Sequence, residues 1–412
     1  MPQLSLAKFL ASFVSLAILA AAAYLLATWA AGEQVTTARH HLVLLRESWR
    51  LWVGLALLAW SFLGRSAILT VAAGWDTRPT EPLHTAGRML QSDTGAELFV
   101  ETHGPAGAPQ VIFTHGWGMD ASFWNYARQD LGDRFEVVFW DLPGLGRSRL
   151  PPDGRVELGR FAADLETLIA ASGDRRPVLV GHSIGGVIIQ TLARDRPEVM
   201  SRLAGVVLLH TTYANPLKTM ALSDLVAPLQ PVIELLARLT IRLAPVVRLI
   251  NWQSYFSGSA HLVQRLGFGR HVTRSQLDQV TLLATRNPVS VLAKGDLAMF
   301  GWDATGALRR LAAPVLVVGG DRDVITSPEA SRTIAEQSPR ASLEVIHGAN
   351  HMAPLERAHT YDRLIGDFVL AVQPSATRDV RPDVAPAGEA AVVERETPSR
   401  PPPRGPRQTP PR

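Results

Sequence analysis

The run Gly181-His182-Ser183-Ile184-Gly185-Gly186 decides the fold. It follows a β-rich apolar run at 177–180 and opens a stretch, 184–194, whose apolar spacing is helical. A serine between strand and helix, with glycines two positions to either side, is the pattern of a nucleophile elbow. The glycines are needed because the turn is tight and neighbouring backbone packs close. Such a turn lifts the serine hydroxyl above a sheet. It also aims the Ile184 amide, at the helix start, at negative charge developing there.

Working outward, β-rich runs recur at 97–102, 110–114, 136–140, 205–210, 314–318 and 342–346. Several are nearly continuous apolar runs, as strands buried on both faces should be. Helical patterns lie between many of them; one, 158–172, sets Leu158, Phe161, Leu165, Leu168 and Ile169 on one face. This alternation predicts an α/β fold with an open, mostly parallel sheet. About a hundred residues, 211–313, separate two of the strands and carry helical apolar spacing through 222–250, so they read as an inserted subdomain.

Three further places carry chemistry. His115-Gly116-Trp117-Gly118 closes a strand and must turn sharply. Trp117 is the expected second amide of an oxyanion hole, with Ile184, while His115 supports the loop. Gly319-Gly320-Asp321-Arg322-Asp323 follows another strand, where an acid can orient a histidine; Asp323 is the first choice and Asp321 the alternative. Gly348-Ala349-Asn350-His351 follows the last strand, and His351 is the expected general base, with His347 its rival. Type alone selects nothing among twelve histidines. His182 reads as packing beside the elbow, and His40 and His41 lie beside apolar sequence near the N-terminus.

The chain order Ser183, Asp323, His351 is that of one fold. Over about residues 90–372 the sequence resembles the α/β-hydrolase superfamily, in its cap-containing branch of esterases, lipases and cofactor-free haloperoxidase-like enzymes. Asp141-Leu142-Pro143-Gly144-Leu145-Gly146-Arg147-Ser148 and the stretch 348–356 look like further loops of that family. The resemblance implies an eight-stranded sheet, with a first strand near 88–92, and a helical cap formed by 211–313. It also implies that no metal or organic cofactor is required. A serine, rather than an aspartate, at the elbow favours acyl chemistry over alkyl-enzyme chemistry. The expected activity is therefore hydrolysis of carboxylic esters through an acyl-enzyme. Perhydrolysis with peroxide, acyl transfer to an alcohol and a non-catalytic binding role are the alternatives.

The ends are of a different character. Residues 9–32 contain no charged side chain, and these 24 positions exceed the roughly 20 a helix needs to cross a bilayer. The run is also longer than the core of a signal peptide. Residues 51–75 form a second apolar stretch whose only charge is Arg65, costly in mid-bilayer unless it snorkels or the bilayer adapts. One or two membrane helices are thus expected within residues 1–75, near 9–31 and 51–73. The distribution of Arg and Lys on the two sides does not settle the topology, and a cytoplasmic-facing domain is only weakly favoured. A hydrolase core is expected over 76–210 and 314–372, around the cap at 211–313. Residues 373–412 hold ten of the 29 prolines and no apolar periodicity, and are expected to form a disordered tail.

Composition bounds the rest. The chain has 412 residues, 47% hydrophobic and 19% charged, which excludes global disorder. With no cysteine, disulfides, thiolate–metal sites and a cysteine nucleophile are excluded. The net charge of +4 comes largely from arginines dispersed along the chain, so nucleic acid is not an expected partner. The expected partners are a small or lipid ester substrate and membrane lipids. Oligomeric state is not legible. An apolar cap offering Trp252, Tyr255 and Phe256 beside a membrane tether favours a lipid ester.

Overall fold

The structure is a computed structural model describing residues 5–36, 42–82 and 84–373. Eight strands form one sheet: β1 Arg88–Gln91, β2 Glu97–His103, β3 Gln110–Thr114, β4 Glu136–Trp140, β5 Val178–His182, β6 Gly205–Leu209, β7 Val315–Gly320 and β8 Ala341–Ile346. Their order across the sheet is β8-β7-β6-β5-β3-β4-β2-β1. β3 to β8 pair in parallel, while β2 is antiparallel to both β1 and β4. β3 to β7 are buried along their whole lengths, which is why they read as continuous apolar runs.

Between the strands run α3 Asn125–Leu131, α4 Leu158–Ala171 and α5 Ile184–Asp195. The buried positions of α4 include Leu158, Phe161, Leu165, Leu168 and Ile169, the predicted stripe. α4 and α5 pack with one apolar cluster, and α3 with a second. Strand ends on the β3–β8 side therefore converge, and that edge carries the chemistry.

Between β6 and β7 the chain forms the helical insertion. After single turns it builds α6 Gln230–Arg242, α7 Ala244–Ser257, α8 Ser259–Arg265, α9 Arg274–Arg286 and α10 Val289–Phe300. After β7 comes α11 Pro328–Gln337, and α12 Ala358–Val372 closes the core against α3.

Before the sheet lie two long helices, α1 Ser5–Ala31 and α2 Ser48–Ala72, joined by a short antiparallel strand pair, Glu33–Thr36 with Leu42–Leu45. Each has a 25-residue segment long and apolar enough to cross a membrane, with mean hydropathy 2.3 and 1.6, and little of either is buried within the chain. Gly54 of α2 meets Leu26 and Ala22 of α1, where the absent Cβ lets the helices approach. Arg65 finds a partner. Its guanidinium donates to the Tyr255 hydroxyl of α7, lies 5.0 Å from that ring's centre and sits 3.6 Å from Asp278 of α9. Pairing of this kind removes much of the cost of an arginine in an apolar helix. The expected tail falls outside the described residues from 374 onward, as do His40 and His41.

Candidate active site

Ser183 sits at the turn between β5 and α5 with φ 55° and ψ −117°, a backbone conformation that L-residues seldom adopt. Two close approaches hold it there. A Cβ on Gly185 would lie 2.4 Å from the Thr114 carbonyl oxygen of β3, and a Cβ on Gly181 would lie 2.5 Å from the Gly185 backbone. These contacts are the physical content of the two elbow glycines.

The predicted partners converge on the serine. His351 Nε2 lies 3.0 Å from Ser183 Oγ, and His351 Nδ1 lies 3.1 Å from Asp323 Oδ2. With Nδ1–H donating to the carboxylate, Nε2 is left to accept the serine proton. The His351 amide donates to Asn350 Oδ1 at 2.8 Å, and its carbonyl accepts from His182 Nε2 at 3.0 Å, fixing the loop. Asp323 is over-determined: Oδ1 accepts the amides of Ile325 and Thr326, and Oδ2 accepts the Thr326 hydroxyl as well as imidazole N–H. Burial alone would raise the Asp323 carboxyl, but His351 and His210 outweigh it and hold it well below the usual carboxylate range.

The two rival residues pair with each other. His347 Nδ1 lies 2.7 Å from Asp321 Oδ2, with the His347 side chain 92% exposed. His182 stacks on Phe123 at 4.9 Å, the packing role expected of it. His115 is fully buried; its Nε2 accepts the Leu142 amide at 3.0 Å, and burial lowers its pKa to about 4. Neutral and bridging two loops, it supports the turn.

The loop carrying Trp117 lies against the elbow, since a Cβ on Gly116 would come within 3.6 Å of Ser183 Cβ. Among the described residues neither the Trp117 amide nor the Ile184 amide finds an acceptor. Two open N–H groups beside a serine are what an oxyanion needs. The Trp117 indole N–H donates to the Leu292 carbonyl of α10 at 3.2 Å, which ties this loop to the insertion. Of the aromatics expected in the cap, Tyr255 instead faces α2, engaged with Arg65.

One member of the site escaped the sequence reading. His210, just past β6, places Nδ1 2.7 Å from Asp323 Oδ2, and its Nε2 accepts from the Tyr361 hydroxyl at 2.6 Å. A chain of hydrogen bonds therefore runs Ser183–His351–Asp323–His210–Tyr361. Burial depresses the His210 pKa despite Asp323, so it is neutral. Its signal was available: a histidine at the end of a buried parallel strand, the position that Ser183, Asp323 and His351 also take.

A second polar cluster lies near the start of the core. His84 Nδ1 is 2.9 Å from Glu101 Oε1, and its Nε2 is 3.3 Å from Asp120 Oδ2 and 3.9 Å from Asp141 Oδ2. Burial opposes protonation of His84, but the Asp120 and Glu101 carboxylates outweigh it and push the pKa up to about 9. Burial and the neighbouring Asp120 carboxylate raise Asp141. Arg286 of α9 pairs with Asp120, and Arg128 with Glu101. The Asp141 oxygens accept the Ala121 and Arg147 amides, each at 2.7 Å.

Among the described residues, two groups have ligand-type atoms within 4.8 Å of one another, His210–Asp323–His351 and His84–Asp120–Asp141. In the first, the imidazole and carboxylate atoms already bond one another in the chain above, so the arrangement is fitted to proton transfer.

Comparison with known proteins agrees with this architecture. A non-heme chloroperoxidase of Streptomyces lividans is 29% identical over 64% of this chain and 92% of its own length. A pimeloyl-[acyl-carrier protein] methyl ester esterase of Sodalis glossinidius is 28% identical over 66% of this chain and 97% of its own. A dihydrolipoyllysine-residue acetyltransferase component of the acetoin cleaving system of Cupriavidus necator is 30% identical over 63% of this chain, and the match spans 63% of that relative, just under two thirds. The model of the alpha/beta hydrolase family matches residues 111–364, well over half the chain and every element that carries the hydrogen-bonded serine, histidine and aspartate. This protein is a member of that family.

Proposed function

We propose that the chain is a membrane-tethered serine hydrolase of carboxylic esters, acting on lipid esters. The observation that carries this is the unbroken hydrogen-bond line from the strained Ser183 through His351 to a buried, ionised Asp323. As Ser183 Oγ attacks an acyl carbon, its proton passes to His351 Nε2. Asp323 orients the ring and stabilises the imidazolium. The Trp117 and Ile184 amides hold the oxyanion. The tetrahedral intermediate collapses with the C–O bond to the alcohol breaking, and His351 returns the proton to the leaving alkoxide. Water, deprotonated by His351, then attacks the acyl-Ser183 carbonyl and releases the acid.

The tether reading rests on α1 and α2, whose length and composition suit two spans forming a hairpin. A hairpin would put the N-terminus and the core on one side of the bilayer. Substrates dissolved in lipid would then reach the site at high local concentration.

A second reading is perhydrolysis, in which peroxide replaces water as the acyl acceptor at the same three residues. It is favoured by the match to a chloroperoxidase along nearly that relative's whole length. The test is an acyl-length series of esters with detergent-solubilised full chain, wild type beside Ser183→Ala. Turnover that rises toward long acyl chains and vanishes in the variant is expected. A peak at acetate would remove the lipid assignment. Peracid formation from acetate and peroxide without ester turnover would favour the second reading.

A further inference from the structure

A cavity of about 380 Å³ lies between the first turns of α1 and the helical insertion. That volume lies within the range of small-molecule sites. Its walls are mainly apolar, with Phe13 and Leu16 contributed by α1, Val247 and Ile250 by α7, and Leu292 by α10. Lys8 and Asp296 add a polar corner. Leu292 stands between this cavity and the oxyanion loop, because its carbonyl accepts the Trp117 indole N–H. One turn along α10, Gly295 packs so closely on the same indole that a Cβ would not fit. Leu292 thus touches both the cavity and the loop that carries the proposed oxyanion amide of Trp117.

Its depth follows from helix lengths. At 1.5 Å per residue α1 is about 40 Å long, whereas the hydrocarbon core is about 30 Å thick. The insertion flanks the first half of α1: Ser12 Oγ accepts from Ser254 at 3.0 Å, and Ser15 Oγ lies 2.6 Å from Ser257 Oγ. Residues 17–31 alone would reach only about 22 Å, too short to cross. A membrane-spanning α1 therefore carries the insertion, and the cavity with it, to the depth of one leaflet. The outward face of α6 and α7 suits that position. Val232, Leu235 and Leu249, outside the cavity lining, are at least 51% exposed, while Leu239, Leu243 and Val246 stand at the cavity's rim and are at least 42% exposed.

We infer that this cavity holds the acyl chain of a membrane-lipid ester that enters sideways from the bilayer, and that α1 is a wall of the substrate site as well as a tether. The inference rests on the ester-hydrolase reading above. Lateral entry lets the chain leave lipid for an apolar cavity without crossing water, while the ester bond reaches Ser183 past Leu292.

The test uses the full chain in detergent and compares kcat/KM for a dodecanoyl ester with that for the acetyl ester of the same alcohol. Leu16→Trp and Ala11→Trp fill the cavity, since both positions line it. Val14→Trp, on the lipid-facing side of the same helix and 56% exposed, is the control. Loss of room for about two methylenes corresponds to a fall of about tenfold in the long-to-short ratio. That fall is expected in the two filling variants and not in Val14→Trp. Leu16→Ala, which needs no new volume, is expected to raise the ratio for longer chains. Ratios unchanged in all three cavity variants would overturn the inference and leave ester hydrolysis standing. A wild type inactive on both esters would overturn the ester reading, and this inference with it.

Discussion

The Asp323 cluster and the Asp120–Asp141 cluster are made of the same side-chain types at similar depth. In the first, one carboxylate serves two imidazoles, and the outer one ends on a hydroxyl held in a strained turn. In the second, the His84 imidazole sits among three carboxylates whose other partners include backbone amides, the Thr85 and Ser122 hydroxyls, His103 and the guanidiniums of Arg128 and Arg286. Burial drives His210 neutral, whereas the surrounding acids drive His84 protonated. The first arrangement leaves a ring nitrogen able to take a proton. The second is a fixed ion cluster that fastens the segment after α2, which carries His84, to the core and, through Arg286, to the insertion.

Substitutions at four positions test that contrast, in falling order of expected effect. Ser183→Ala removes the proposed nucleophile and should lower kcat by about 10⁵-fold or more, with the thermal midpoint little changed. Asp323→Asn should cost about 10⁴-fold, because an amide cannot hold the charged, correctly oriented His351. His210→Ala takes one charge-assisted hydrogen bond from Asp323, and a fall of about 10–100-fold in kcat is expected. Since His210 is a positioning residue, His210→Asn, which keeps an N–H donor, should recover most of the loss. Failure of that rescue in a folded variant would assign His210 to packing alone.

His84→Ala should leave kcat within a few-fold and act on stability. The folded pKa of about 9 lies above the ordinary 6.5, so the stabilisation is complete below about pH 6.5 and is lost as pH rises through 9. The difference in unfolding free energy between wild type and His84→Ala should therefore be largest near pH 6 and shrink by pH 10. A difference that grows with pH would contradict the protonated assignment.

These contrasts also mark what the sequence discloses. Ser183, Asp323 and His351 were legible because each follows a strand, and strand ends of a parallel sheet share one edge. Trp117 and Ile184 stand out in the sequence because one lies in the turn after a strand and the other at a helix start beside Ser183. His210 obeys the same rule but was read only as the last residue of a strand. Arg65 looked expensive because its partners, Tyr255 and Asp278, lie some 200 residues further along the chain. The packing of the insertion on α1 was hidden for a related reason. Its leucines repeat with helical spacing, which marks a buried stripe or a lipid-facing one equally well. Only the tertiary structure separates the inner face, lining the cavity, from the outer face bearing Leu235 and Leu249.

The most direct test of the central claim, that Ser183 is a nucleophile activated by His351, is covalent capture. Full-length protein would be treated with a fluorophosphonate and the adduct located by peptide mass spectrometry, in wild type and in His351→Ala. The account predicts a single adduct on Ser183, formed at least about a hundredfold faster in wild type than in the variant. An adduct at another residue, or equal labelling rates in the two folded proteins, would contradict it.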